Sequence, residues 1–281
     1  VSEIQTQEQF ISYQEYHRQS LEACDIDTAV TCLRYIAERF ELTIEQRYWI
    51  AFIYGCCYSA VTTFYIYNEF PEFSLVDRDR LALWWRGNKS KLIFQTDRLR
   101  IKSNNQFVEC FESYRALVKN SQQAYFASKS CAEIYEKISR IKYFGRFSLF
   151  NYLDTLNQIA DINLKPTQLN MLEAESCRNG VAFAIGRGDL VDKKLTAAEA
   201  VLLHNAFLRL LRENKGDIFK VETSLCAYKK YRLGKRYVGY YIDRMYRELK
   251  QIEPVVTGVC WDVIWQFREE TINKKFLREF H

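Results

Sequence analysis

Four polar side chains fall at helical spacing inside the apolar run YGCCYSAVTTFYIYNEFPEF (54–73). They are Tyr58, Thr62, Tyr65 and Glu69, at i, i+4, i+7 and i+11, on one helix face. Buried hydroxyls and carboxylates cost free energy unless paired, so the stripe asks for partners or a ligand. One reading makes it a pocket wall, with Glu69 as a general base and Asn68 reading an amide edge. The plainer reading packs the tyrosine rings into a core and lets Asn68 and Glu69 end the helix.

Three further strings carry reactive residue types. In FQTDRLRIK (94–102), Asp97 beside Arg98 can hold a phosphate-binding guanidinium, or form an exposed surface pair of little energetic weight. In YFGRFSLFNYL (143–153), Gly145 allows close backbone approach at a helix start, and Arg146 among aromatics either stacks or reaches into a pocket. In ESCRNGVAFAIG (175–186), Arg178 and Asn179 interrupt an apolar helix with a bidentate donor and an amide. A core arginine paired with a nearby acid such as Glu175 is the structural alternative for the last two.

The strongest pattern is ETSLCAYKKYRLGKRYVGYYIDRMYREL (222–249). Lys229, Lys230, Arg232, Lys235 and Arg236 interleave with Tyr228, Tyr231, Tyr237, Tyr240 and Tyr241. Cations neutralise phosphates and release counterions, and aromatic rings stack on exposed bases. Net charge is +5 overall, yet residues 228–250 and 78–102 each carry eight Lys/Arg against two acids, so the remainder of the chain is acidic. Two basic segments on an acidic body are a polyanion footprint; solvated helix faces are the alternative.

These residues must be held by helices. Three prolines and ten glycines in 281 residues leave few breakers, and 48% hydrophobic residues supply a real core. Helices are expected over 6–22, 26–40, 44–67, 77–91, 105–119, 122–140, 146–160, 168–185, 197–213, 218–232, 236–251 and 258–278. Asp25 or Asp27 can cap the second, and Thr43 with Gln46 forms a capping box for the third. Gly234 separates the two helices of the basic segment. The expectation is an all-α fold in one domain, with two lobes divided near 161–170 as a possible subdivision.

Nine unevenly spaced cysteines read as reduced thiols, and the scattered His17, His204 and His281 without any CxxC argue against a metal site. No run is apolar enough to span a bilayer, and the polar opening VSEIQTQEQF gives no sign of a secretory signal. No flavin motif or phosphate-binding glycine loop is present, so no cofactor is expected.

The strings YNEFP, FQTDR, YFGRFSLF, RNG and ETSLCAYKK with GKRYVGYYIDR resemble the alpha-glutamyl/putrescinyl-thymine pyrophosphorylases, some of which are called amino acid:DNA transferases. The resemblance runs from about residue 44 to 250. It implies a fold similar to helical DNA glycosylases. The implied substrate is double-stranded DNA carrying a phosphorylated or pyrophosphorylated 5-hydroxymethyluracil, whose phosphate is displaced by an amine such as that of glycine. The product is a hypermodified thymine, and the setting is the cytoplasm of a phage-infected bacterium, with no membrane involved.

That chemistry needs a base for the amine, cations for the leaving phosphate and a flipped-out target base. The resemblance therefore implies Glu69 as base, with Asp97 and Glu222 as rivals. Arg98, Arg146 and Arg178 become candidates for phosphate or substrate carboxylate. Asn68 and Asn179 would read the uracil edge, with Tyr58 and Tyr65 lining the site. Lys229, Lys230, Arg232, Lys235, Arg236, Tyr240, Tyr241 and Arg244 would grip the duplex. A base-excising glycosylase-like enzyme and a non-catalytic DNA-binding protein are the competing classes.

Overall fold

The structure is a computed structural model. It describes residues 10–94, 101, 105–119, 121–127, 129–164, 166 and 173–278. Within these it is all-helical, with no strand. The helices are α1 (Tyr13–Glu22), α2 (Thr28–Arg39), α3 (Ile44–Cys57), α4 (Ala60–Glu69), α5 (Arg78–Asn88), α6 (Gln106–Val118) and α7 (Gln122–Ala127). They continue with α8 (Cys131–Ile138), α9 (Arg146–Ile159), α10 (Glu175–Ala184), α11 (Ala197–Glu213), α12 (Ile218–Arg232), α13 (Tyr240–Ile252) and α14 (Asp262–Thr271). None of the described helices is long and apolar enough to cross a membrane.

Two compact units share the chain discontinuously. One comprises Ala29–Lys165 with Arg244–Thr271, the other Val1–Thr28, Pro166–Asp243 and Ile272–His281.

The first unit, called the 29–165 unit below, is built on α3, α4 and α9. Thr43 and Gln46 form the expected capping box, each satisfying the other's backbone N–H. Every residue of α3 from Tyr48 to Cys57 is buried. Where α3 crosses α9, a Cβ on Gly55 would stand 2.9 Å from both the Phe144 ring and the Tyr152 Cβ, so only glycine lets the helices approach. Phe52 stacks on Tyr114 at 4.1 Å between ring centroids. The Tyr114 hydroxyl donates to the Gln122 side-chain oxygen (2.8 Å) and bonds the Tyr152 hydroxyl (2.9 Å), so buried tyrosines here carry a satisfied polar chain.

The expected helix over 44–67 is two helices. Tyr58 takes a left-handed conformation (φ 52°, ψ 35°) and ends α3, and Ser59 starts α4 by accepting the Thr62 N–H at 3.3 Å. A left-handed non-glycine residue costs about 1–2 kcal/mol and persists only where its surroundings hold it. The stretch expected as one helix over 122–140 likewise divides into α7 and α8, because Ser130 and Glu133 form a second capping box.

The second unit, the 166–243 unit, centres on α12, flanked by α1 and α10. A Cβ on Gly180 would come within 2.1 Å of the Leu225 carbonyl oxygen, so α10 and α12 touch backbone to backbone at that point. Antiparallel to α12, α1 contributes Tyr13 and His17, which both bond the Ser224 hydroxyl at 2.8 Å. Burial pushes His17 down to about 4, with Asp217 raising it and Lys220 lowering it further. Asp25 caps a different helix from the one expected. Its buried carboxylate accepts the N–H of Tyr241 at 2.8 Å, and those of Gly239 and Ile242, at the start of α13. Burial raises it to about 6 against those donors and Arg236.

Candidate functional site

The polar stripe does not line one face of one helix. Tyr58 belongs to the α3–α4 break, half-buried, its ring set edge-on to Phe147 at 4.9 Å. The other three residues find structural partners. Thr62 exchanges two bonds with the Ile93 backbone (2.8 and 2.9 Å), and the Tyr65 hydroxyl donates to the Asn88 side-chain oxygen at 2.8 Å. Burial and the nearby Glu69 carboxylate push the Tyr65 hydroxyl up. Asn68 is exposed, its amide nitrogen 3.4 Å from the Gly258 carbonyl oxygen. Glu69, at the C-terminal end of α4, accepts Arg80 Nη2 from α5 at 2.7 Å, with Glu69 34% and Arg80 63% exposed. That ion pair is open to water and can exchange partners.

The opposite end of α4 holds a carboxylate that the sequence reading passed over. Glu248 of α13 is almost fully buried, and both its oxygens are engaged. Oε2 accepts the Ser59 hydroxyl at 2.9 Å and Oε1 accepts Arg244 Nε at 3.2 Å. The Arg244 side chain remains 21% exposed while that of Glu248 is 7% exposed. The signal lay in the charge pattern: Glu248 is one of two acids in the basic run 228–250, and Asp243, the other, is fully buried too. Charged groups go inside only when paired, so acids this sparse in a basic run point to inward partners.

Arg146 opens α9 behind Gly145, which supplies no side-chain cap, and is half-buried. Its neighbour Phe147 packs on Tyr58, so the α3–α4 break gathers the start of α9 through residue 58 and α13 through residue 59. The break between α3 and α4 is thus in contact with both α9 and α13 within the 29–165 unit. Asn68 and Glu69 lie at the far end of α4, roughly 15 Å along a ten-residue helix. Asp97 and Arg98 lie outside the described residues.

In the 166–243 unit, Asn179 is buried and its amide is spent on Asp192: Nδ2 donates to the carboxylate at 2.7 Å, and Oδ1 accepts the Asp192 N–H at 3.1 Å. Lys229 bonds the same carboxylate at 2.9 Å and is only 11% exposed. Arg178 and Glu222 are half-buried on α10 and α12. The Arg232 guanidinium sits over Phe10 and Phe183, 5.3 Å from each ring centre, and over Tyr228 at 5.9 Å.

Tyr228 and Tyr231, expected among the base-stacking aromatics, pack against Tyr16 of α1 at 5.4 and 4.9 Å; Tyr228 is fully buried. Beyond them, Lys230 is half-buried and Lys235 exposed. Arg236 bonds the Tyr241 hydroxyl and lies over the rings of Tyr240 and Tyr241. The connection 233–239 is longer than the single-glycine turn expected, since α13 begins at Tyr240.

The described residues thus hold an open Arg–Glu pair, a largely buried one and a basic, tyrosine-rich segment. The family model for amino acid:DNA transferases matches residues 29–237, and the chain belongs to that family. It is also similar to a serinyltransferase of Salmonella phage ViI, 27% identical over 92% of this chain and 70% of the relative. The chain is thus a transferase of the class that joins amino acids to DNA.

Proposed function

We propose that this enzyme joins the amine of a small amino acid to the 5-methylene carbon of a phosphorylated or pyrophosphorylated 5-hydroxymethyluracil in duplex DNA. The carbon–nitrogen bond forms as the carbon–oxygen bond breaks. Phosphate or pyrophosphate leaves with the bonding electron pair, and the amine gives up its protons to a base and to solvent. Glycine is the donor that the motif resemblance suggests. The name of the phage relative adds serine, and the two differ by one hydroxymethyl group.

The family match over 29–237 carries this reading, because it spans Glu69, Arg146, Glu222 and the cations from Lys229 to Arg236. Glu69 is the base in this account. Its carboxylate is reachable from solvent, and its partner Arg80 can turn to an incoming phosphate as the carboxylate takes the amine's proton. Lys235 and Arg236 meet the duplex backbone, and the target base is turned out of the stack to reach the amine.

The test is mass spectrometry of nucleosides after duplex DNA bearing the phosphorylated base is incubated with the protein and either serine or glycine. The expected product is an N-linked amino acid adduct of thymidine with equimolar phosphate release. Free base or an abasic site would instead identify base excision, and unchanged nucleosides with both donors would refute the proposed substrate.

A further inference from the structure

We infer that Ser59 and Glu248 form a positioning device that fixes the Arg244 guanidinium as a phosphate-binding group for the DNA substrate. The proposal rests on DNA being the substrate, and on three features of the 29–165 unit.

Glu248 is buried, and its two oxygens point to two different partners, Ser59 and Arg244. A buried carboxylate that served packing alone would be a poor choice over an apolar residue of similar size, since desolvation consumes most of the attraction of a buried ion pair. What the pair supplies is orientation. A guanidinium is a rigid plane of five donors, and committing its Nε to an immobile carboxylate fixes the direction of the plane.

The anchor is itself immobile. Ser59 is fully buried and accepts the Thr62 N–H as the cap of α4, while its own proton goes to Glu248. Tyr58 is held left-handed immediately before it, so the hydroxyl stands at a kink that the fold maintains at a cost.

Arg244 is held by Glu248 and still reaches solvent, at 21% exposure. Arg247, three residues on and exposed, continues a cationic face of α13 while Met245 and Leu249 face inward. An arginine that is rigid, part-exposed and next to another cation suits a phosphate better than a flexible lysine would. That phosphate belongs either to the DNA backbone or to the modified base.

The experiment compares wild type, Glu248→Gln, Arg244→Gln and the double variant in binding titrations across a salt series. Two duplexes are used, one bearing phosphorylated 5-hydroxymethyluracil and one unmodified. Glu248→Gln keeps the shape and an acceptor for Ser59, and thermal unfolding of each variant gives its folded fraction. Each single variant should weaken binding about tenfold, the scale of one charge-assisted hydrogen bond, and Arg244→Gln should lower the salt slope by about one. The double variant should be no weaker than Arg244→Gln, because Glu248 acts through Arg244.

Loss on both duplexes assigns Arg244 to the backbone; loss confined to the modified duplex assigns it to the phosphate on the base. Either result supports the inference. Unchanged affinity and salt slope in folded Glu248→Gln and Arg244→Gln would overturn it, as would additive losses in the double variant. Failure of the wild type to bind either duplex would instead strike the DNA reading itself.

Discussion

An Arg–Glu pair stands at each end of α4, and the two differ in everything except their chemistry. At the C-terminal end, Glu69 and Arg80 meet in water; at the N-terminal end, a buried Glu248 holds a part-exposed Arg244. Exposed pairs contribute about 0–1 kcal/mol, because water and salt offer each partner an alternative. Buried pairs are costly to split, since the surviving charge is left desolvated. The comparison separates two uses of one interaction. The exposed pair can open in each turnover, which proton transfer and phosphate exchange require. The buried pair does not open, which aiming a guanidinium requires.

The largest expected effect falls on the open end. Glu69→Gln should lower the transfer rate by about 10²–10⁴-fold while leaving duplex affinity and thermal stability near wild type. A second arm uses Glu222→Gln and Asp97→Asn, the other candidate bases; near-normal turnover in both would leave Glu69 alone as the base. The buried end should respond in the opposite sense. Glu248→Ala removes the partner of both Ser59 and Arg244 and should destabilise the fold by about 1–3 kcal/mol in chemical unfolding, whereas Glu69→Ala should cost under about 1 kcal/mol.

A smaller effect repeats the contrast among the basic residues of the 166–243 unit. Lys229 is tied to Asp192 and nearly buried, whereas Lys235 is exposed. Lys235→Ala should reduce the salt slope of duplex binding by about one and leave stability unchanged. Lys229→Ala should lower the melting temperature with little change in slope. The reverse pattern would mean that exposure is the wrong guide to which cations meet DNA.

The smallest effect is a pH dependence within the same unit. His17, held near 4 by burial, stays neutral in the folded protein while the unfolded chain takes up a proton below about 6.5. Its contribution to stability therefore falls as pH drops from 6.5 to 4. Asp25, raised to about 6 by burial, is protonated in the folded protein at pH values where the unfolded chain is already ionised. Its contribution falls as pH rises from 4 to 6. The two slopes oppose each other. Relative to wild type, His17→Gln should gain stability on acidification through this window and Asp25→Asn should lose it, as read from melting temperatures at pH 4, 5 and 6. Equal slopes in both variants would contradict these assignments.

Much of the fold was legible in the residues. The Thr43–Gln46 box and the spans of α11 and α12 stand where local chemistry puts them. Breaks inside apolar helices were not. Nothing local marks Tyr58 as left-handed; Ser59 becomes a cap because Glu248, far along the chain, receives its proton. The same long-range capture hid the job of Asp25, which caps α13 and not its neighbour α2.

The surroundings of the candidate site residues were less legible than the helices. Interleaved tyrosines and lysines look alike in sequence whether they face α1 or solvent, and α12 uses Tyr228 and Tyr231 for packing. Arg146 and Arg244 were recognisable as cations among aromatics. Their link to the α3–α4 break depends on Phe147 and Glu248, whose contacts span distant segments.

The division of labour between the two ends of α4 is tested most directly by single-turnover transfer with protein in saturating excess over modified duplex. Glu69→Gln and Glu248→Gln would be compared with wild type in that assay. Once saturated, Glu248→Gln should turn over within about threefold of wild type, because its defect lies in binding, while Glu69→Gln should stay slow at any protein concentration. Normal turnover by Glu69→Gln beside a Glu248→Gln protein that is folded, saturated and inactive would place the chemistry at the buried end and contradict the account.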